Sequence, residues 1–463
     1  MIRRAGRAAL AYCLAVTLAF AQTAQGPAPF APSNPANLGP TAYRVVANLK
    51  GTQPETLGAN IAGTSYTRLD GRRLCQSARV AAYNVQVVFN GQQVAQNTGS
   101  LTTAAGDTGN PNDIWLQLAL EVGGVNQGLL TWNGVQPFNI PAGFPNAMTD
   151  PTGYLLPAAT SFYLRFSESI DSTAKAMTRP YNAGPSNYQF QVSYSNNASG
   201  QASGTGSLTV ANASSTAWEP IAIIGVPQGP MTAVGVIGMS ISGGTLDTNP
   251  DAYGGYGWIG KGVNAVSPNI PVLSLSRGSS ETIDYLNAAG TRLALLPYVD
   301  VVIYDEATND IAVGGATLAQ LQTNAQQIWK QIRAAGKKLY AVTVMPRTTS
   351  TNSWATAAAQ TPVTGFTEGG IRDQYNSWLY TELQAGVIDG LVDPALGRYA
   401  IGTAAVWVNT SGGGVEDPAN LSKWITTNGA ATTDGTHPSS STGTNAVAIA
   451  AATLTAFVTA MGW

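Results

Sequence analysis

Val234-Gly235-Val236-Ile237-Gly238 is an unbroken apolar run, and Ser240 stands two residues beyond its end. A short run of this kind, rich in β-branched residues, is the pattern of a strand buried on both faces. That pattern belongs to parallel sheets covered by helices. Similar runs follow at Ile270–Leu275, Val299–Tyr304 and Lys338–Val344. Between and after them come helical patterns over Ala316–Ala335, with Gly336 as a stop signal, Arg372–Ala385 and Ala446–Met461. Val387–Asp393 reads as a further short strand. Strands alternating with helices predict an α/β unit with helices on both faces of a parallel sheet. In such sheets ligands bind beyond the carboxyl ends of the strands, which is where Ser240 falls.

Three other segments bear on that serine. His437 is the only histidine in the chain, and Asp434 precedes it by three residues with Gly435 between them. A serine hydroxyl needs a base near neutral pH, and the base needs an acceptor on its far nitrogen. Ser276-Arg277-Gly278 and Glu306-Ala307-Thr308-Asn309-Asp310 each follow a strand-like run. They would bring a backbone N–H from Gly278 and an amide from Asn309 to the same sheet edge, as donors for a developing oxyanion. Each segment also has a plainer reading. Ser240 would serve as a helix N-cap, and the Asp434–His437 stretch is built of turn formers.

In this order the four segments resemble the SGNH (GDSL-type) hydrolases, over roughly Pro220 to Trp463. The matching residues are Gly238-Met239-Ser240, Gly278, Ala307-Thr308-Asn309-Asp310 and Asp434-Gly435-Thr436-His437. The resemblance implies Ser240 as nucleophile, His437 as base and Asp434 as its orienter. It implies an oxyanion hole made by the backbone N–H groups of Ser240 and Gly278 and the side chain of Asn309. It implies an SGNH-type, flavodoxin-like sheet, and neither a metal nor an organic cofactor. Two positions depart from the family pattern: Met239 replaces its Asp and Ala307 its usual Gly. The α/β-hydrolase signature Gly-x-Ser-x-Gly is not met, because Ser242 stands where its last glycine belongs.

The 463 residues suffice for two or three domains. Only 10% are charged, and the formal net charge is −2. A nucleic-acid-binding surface needs more basic charge than this. Met1–Ala21 has the form of a signal peptide: Arg3, Arg4 and Arg7, an apolar stretch too short to span a bilayer, and Ala19-Phe20-Ala21. Its removal takes the net charge to −5 and leaves Cys75 as the single cysteine, expected as a buried thiol. The protein is therefore expected to be secreted or periplasmic, with no stable membrane insertion. Residues 22–42, rich in Pro and Ala, read as a linker.

Residues 43–219 show short alternating runs between Gly, Asn, Pro and Ser turns, the pattern of an all-β sandwich. Ile114–Leu120 and Phe162–Phe166 are examples. Trp115, Trp132, Tyr163 and Tyr194 in this half are candidates for stacking on sugars, or else core aromatics. The expected boundary lies at Pro220, with Ile221–Val226 as either a last strand or a crossover. Asp251–Trp258 and the long polar segment Met345–Phe366 are candidate site-shaping loops. The function expected is that of a secreted serine esterase cleaving short acyl groups, such as acetyl, from a carbohydrate. The alternatives are a non-catalytic glycan-binding protein on the same fold, motivated by Met239, and an acyltransferase using the same site.

Overall fold

The computed structural model describes residues 43–49, 60–61, 64–90, 92–94, 107–109, 112–144, 146–172, 175, 190–195, 201–208, 220–248, 251, 255–266, 269–287, 289–403, 407–410 and 413–463. The expected leader and linker, residues 217–219 at the expected boundary and the side chain of Tyr194 lie outside these residues.

Two antiparallel sheets form from the N-terminal half. One has the order Arg44–Val45, Ala222–Pro227, Ala82–Asn90, Asn146–Met148. The other has the order Val125–Leu129, Ile114–Val122, Ser161–Ser169, Arg68–Ser77, Phe190–Ser195. Alternation sends Val85, Val87, Phe89 and Ile223 of the first sheet against Leu116, Leu118, Leu164 and Phe166 of the second. Cys75 is buried in the same core, and burial pushes its thiol up to about 12.

The smaller sheet is buried on its other face as well. Tyr43, Val45, Val88, Ala222, Ile224 and Val226 pack into one cluster with Leu295, Leu296, Tyr298 and Val299 of the C-terminal half. Polar contacts follow the same seam. Arg44 Nε donates to Asp300 at 2.7 Å, Asn146 Nδ2 to the Thr291 carbonyl at 2.8 Å, and Val272 N–H to Asn48 at 2.8 Å. Ala222–Pro227 is thus an interior strand of an N-terminal sheet, and that sheet runs past the expected boundary at Pro220. The crossover alternative is set aside.

The C-terminal half carries a seven-stranded sheet in the order Val272–Ser274, Val234–Gly238, Val301–Asp305, Lys338–Val342, Gly390–Asp393, Arg398–Ile401, Val408–Asn409. The first five are parallel and the last two antiparallel. Among the parallel strands, the earliest in the chain lies between the second and the third. Chain direction across the sheet therefore reverses at Val234–Gly238, the switch point where doubly wound folds open a crevice. Strand side chains divide by parity between two helical layers. Val234, Val236, Ile303 and Val342 face Gly257–Val266 and Ala446–Met461. Ile237, Val302, Leu339 and Leu391 face Leu318–Ala334 and Ile371–Gln384.

Thr317 and Gln320 close a capping box at the start of Leu318–Ala334, and Gly336 at φ 72° follows its end. Met345–Phe366 is more ordered than a polar loop, because Thr348–Ser350 pairs with Gln360–Pro362 as a small antiparallel ribbon.

Candidate active site

Ser240 enters the turn that follows Val234–Gly238. The turn is tight: a Cβ on Gly238 would lie 2.0 Å from Ser242 Oγ and 2.8 Å from the Asp305 carbonyl. Only glycine lets the nucleophile strand approach its neighbour this closely. Tyr285 braces the same point, its hydroxyl accepting from Gly238 N–H at 3.2 Å and lying 2.8 Å from the Gly238 and Leu275 carbonyls. Met239 points away from this polar edge. It is 1% exposed, among Ile241, Trp258, Val415 and Trp424. In this chain the position beside Ser240 is a packing position.

The Asp434–His437 turn reaches Ser240 from the other end of the sequence. Gly435 at φ 77° makes it possible, since a Cβ there would lie 1.8 Å from the Thr348 carbonyl. The Gly435 carbonyl accepts from Thr348 N–H and Trp424 Nε1, each at 3.0 Å, which fixes the turn to the core. His437 Nδ1 lies 2.7 Å from Asp434 Oδ2, and His437 Nε2 lies 2.7 Å from Ser240 Oγ.

Asp434 Oδ1 also accepts from the backbone N–H of Thr436 at 2.8 Å and of His437 at 2.9 Å. Burial alone would raise the Asp434 carboxyl. The His437 hydrogen bond and charge, with these backbone donors, hold it well below the usual carboxylate range. An ionised carboxylate only accepts, so Nδ1 carries the proton, and Nε2 is left to accept from the Ser240 hydroxyl.

Gly278 and Asn309 complete the edge. Arg277 N–H donates to the Gly238 carbonyl at 2.9 Å, tying the Gly278 segment to the nucleophile strand. Asn309 is 8% exposed and donates one amide proton to the Ser280 carbonyl at 3.0 Å. Its second amide proton is uncommitted by that bond. Asn309 lies in the one-turn helix Thr308–Ala312, whose N-cap Ala307 stands at φ 102°, a glycine-like conformation.

All five residues expected at the site therefore lie at one edge of the parallel sheet, and three of them form a continuous hydrogen-bonded line. Of the expected Asp251–Trp258 loop, residues 252–254 lie outside the described residues, and Asp251 accepts from Gly255 N–H at 2.7 Å within the loop itself. Among the described residues, no three His, Cys, Asp or Glu side chains are grouped as a metal ion would need.

Two groups were not singled out by the sequence. Arg347 follows the Lys338–Val342 strand, within electrostatic reach of Asp434. Burial lowers its guanidinium and the Asp434 charge opposes that shift. Near the Gly278 and Asn309 segments in sequence lies a buried set of acids: Glu281, Asp284, Asp305, Glu306 and Asp310. Burial first, and mutual repulsion second, push Glu281 up to about 7 and Glu306 well above its ordinary value. Burial alone takes Asp305 to about 7. Asp310 rises to about 6, because burial outweighs its bonds from Thr282.

The aromatics of the N-terminal half divide differently from the sugar-stacking expectation. Trp132 packs with Phe89, Phe138 and Phe144. The face of Tyr163 is covered by the Arg72 guanidinium, 3.2 Å from the ring centroid. Trp115 is 42% exposed.

Neither a family model nor a curated protein matches the chain. Solved structures do. A GDSL-like lipase from Bacteroides thetaiotaomicron aligns at 12% identity and TM-score 0.31, over 50% of this chain and 89% of that one. A carbohydrate esterase family 3 from Talaromyces cellulolyticus aligns at 13% identity and TM-score 0.30, over 50% and 98%. The salicylyl-acyltransferase SsfX3 from a tetracycline biosynthetic pathway aligns at 11% identity and TM-score 0.31, over 85% and 82%. The chain is similar in structure to GDSL-like lipases and esterases at low identity.

Proposed function

We propose that this protein is a serine esterase of SGNH type, acting through an acyl-enzyme on Ser240. The observation that carries this reading is the unbroken line from Asp434 through His437 to Ser240, with 2.7 Å at each step. In this reading His437 Nε2 takes the Ser240 proton as Oγ attacks the ester carbonyl. The oxyanion is received by the N–H groups of Ser240 and Gly278 and the free amide proton of Asn309. His437 then protonates the leaving alcohol, and afterwards activates a water that releases the acid and regenerates Ser240.

The substrate we propose is a short acyl ester on a carbohydrate. The Asp434 side chain is 41% exposed, so the triad faces solvent, an arrangement that suits a bulky polymer outside and a small acyl group inside. We further propose that residues 1–21 are an export signal and residues 22–42 a linker, and that the two antiparallel sheets form a β-sandwich domain. The mature protein would then act outside the cytoplasm on an acylated polysaccharide.

The test is p-nitrophenyl acetate turnover by the mature protein, followed by a panel of acetylated polysaccharides and long-chain esters. Turnover abolished by Ser240→Ala, with acetyl preferred over long chains, supports the proposal. Turnover untouched by Ser240→Ala refutes it.

A further inference from the structure

The two side-wall donors of the proposed oxyanion hole come from different segments, 31 residues apart in sequence: Gly278 after one strand and Asn309 after another. Catalysis by such donors depends on their being held in place before charge develops. Something must fix one segment relative to the other, and the fold provides a specific connection.

Thr282 follows Gly278 by four residues, and Asp310 follows Asn309 directly. Thr282 N–H donates to both oxygens of Asp310, at 3.0 and 3.2 Å, and the Thr282 hydroxyl donates to Asp310 Oδ1 as well. Asn324 Nδ2 in turn donates to Thr282 Oγ1 at 2.9 Å, which sets the direction of that hydroxyl. A second link runs the opposite way, from Asn309 Nδ2 to the Ser280 carbonyl. The two segments thus exchange bonds reciprocally: 280 accepts from 309, and 282 donates to 310.

We propose that Asp310 and Thr282 are positioning residues that lock the Gly278 segment to Asn309 and so set the geometry of the oxyanion hole. This rests on the esterase reading for the meaning of that geometry.

Asp310 is a carboxyl at a position with no exposure, beside Glu306 and Asp284. Burial and like charge both act against a carboxylate there. As a stabilising device it is poor, since a neutral side chain of similar volume would avoid both penalties. As a clamp it is well suited. It offers acceptors to an N–H and an O–H of the same residue at once, a contact that tolerates little rotation or sliding.

The experiment uses Asp310→Ala, Asp310→Asn and Thr282→Val in the full chain. A misplacement of about 1 Å at a catalytic donor is enough for a loss of about a hundredfold. Asp310→Ala is therefore expected to lower kcat on p-nitrophenyl acetate by about 10- to 100-fold, with KM within about threefold of wild type. Asp310→Asn keeps one acceptor and should recover most of kcat. Thr282→Val removes only the hydroxyl and should fall between.

Crystal structures of the variants give a readout that needs no turnover. The separation between the Gly278 backbone and the Asn309 amide should grow in Asp310→Ala and stay unchanged in Asp310→Asn. Folded Asp310→Ala and Thr282→Val with wild-type kcat, or an unmoved Asn309, would overturn the clamp. A lower Tm with kcat intact would mean that the contact is only structural, and would also overturn it. If the wild-type protein turns over no ester, the esterase reading fails by itself, and the crystal structures still decide whether Asp310 and Thr282 hold the two segments together.

Discussion

Asp434 grips His437 at two points: Oδ2 meets the ring Nδ1 at 2.7 Å, and Oδ1 meets the backbone N–H at 2.9 Å. One carboxylate thus fixes both the tautomer of the ring and the turn that carries it. Removing its charge disturbs the first while an amide can still serve the second. Asp434→Asn is therefore expected to fold normally and to lose about 10⁴-fold in kcat. Ser240→Ala and His437→Ala should lose as much, and the double variant little more, because the line acts as a unit. Steady-state kinetics of the three single variants and the Ser240→Ala/His437→Ala pair would check this. Additive losses would show that the groups act separately.

Asn309 provides an independent check on the oxyanion hole. In the proposed mechanism its amide proton is useful only once charge has developed on the substrate oxygen. Asn309→Ala should lower kcat by about 10²-fold or more while KM changes little. Equal losses in binding and turnover would make it a substrate-binding group instead.

Ala307 at φ 102° is a residue in a conformation that suits glycine. A non-glycine residue in such a region costs about 1–3 kcal/mol. Against this, Ala307→Gly forfeits a buried methyl, about 0.8 kcal/mol, and makes the unfolded chain more flexible, about 0.5–1 kcal/mol. The substitution should be neutral to stabilising by about 1 kcal/mol, with kcat within about twofold of wild type. Ala307→Val should be severely destabilising, since a β-branched residue fits that backbone worst. Denaturant unfolding of both variants would decide it, and a Gly variant clearly less stable than a Val variant would refute the strain argument.

The candidate site was legible in the sequence because each of its residues follows a local signal. Ser240, Gly278 and Asn309 come after apolar strands, and His437 has no second copy. The carboxyl ends of parallel strands bring such residues together whatever the detail of packing. What could not be read depended on contacts distant in the chain. Ala222–Pro227 is apolar on both faces, which looks the same for a parallel strand, a crossover or the middle of an antiparallel sheet. Its partners Arg44–Val45 and Ala82–Asn90 lie well over a hundred residues earlier. Glu306 and Asp305 likewise look like ordinary loop acids until tertiary packing removes their water. The faces of Tyr163 and Trp132 were claimed by Arg72 and by neighbouring aromatics, which no spacing rule announces.

The shared core has a consequence for truncation. Leu295, Leu296, Tyr298 and Val299 are covered by Tyr43, Val45, Ala222, Ile224 and Val226. A chain beginning at Met231 would leave that face bare and Asp300 without its Arg44 partner. Such a fragment is expected to aggregate or to bind a hydrophobic dye, and to lose with the fold the ester turnover proposed for the full chain. A monomeric, cooperative and active fragment would show that the two halves fold independently.

The buried acids predict how stability depends on pH. In the unfolded chain Glu281, Asp305, Glu306 and Asp310 would titrate near 4. In the folded protein Asp310 is raised to about 6, Glu281 and Asp305 to about 7, and Glu306 well above its ordinary value. As pH rises from about 4, the unfolded state loses these protons first, so the folded state binds more of them across the window. Stability should therefore fall as pH rises from about 4 through about 7, and Glu306 adds to the decline in the same sense. Asp434 works in the opposite sense, since its depressed carboxyl contributes above the ordinary value and is lost only in stronger acid. Wild-type Tm is thus expected to be higher at pH 5 than at pH 8, against the usual expectation that carboxylates favour neutral pH. Glu306→Gln replaces a buried carboxyl whose protonated form is favoured by burial with a neutral group of the same shape. It should raise Tm at pH 8 by about 1–2 °C, on the order expected for about 1 kcal/mol in a chain of this size, and less at pH 5. Scanning calorimetry on both proteins at the two pH values is sufficient. A wild-type Tm that rises from pH 5 to pH 8, or a Gln variant shifted equally at both, would mean that these carboxyls are not held protonated in the folded protein.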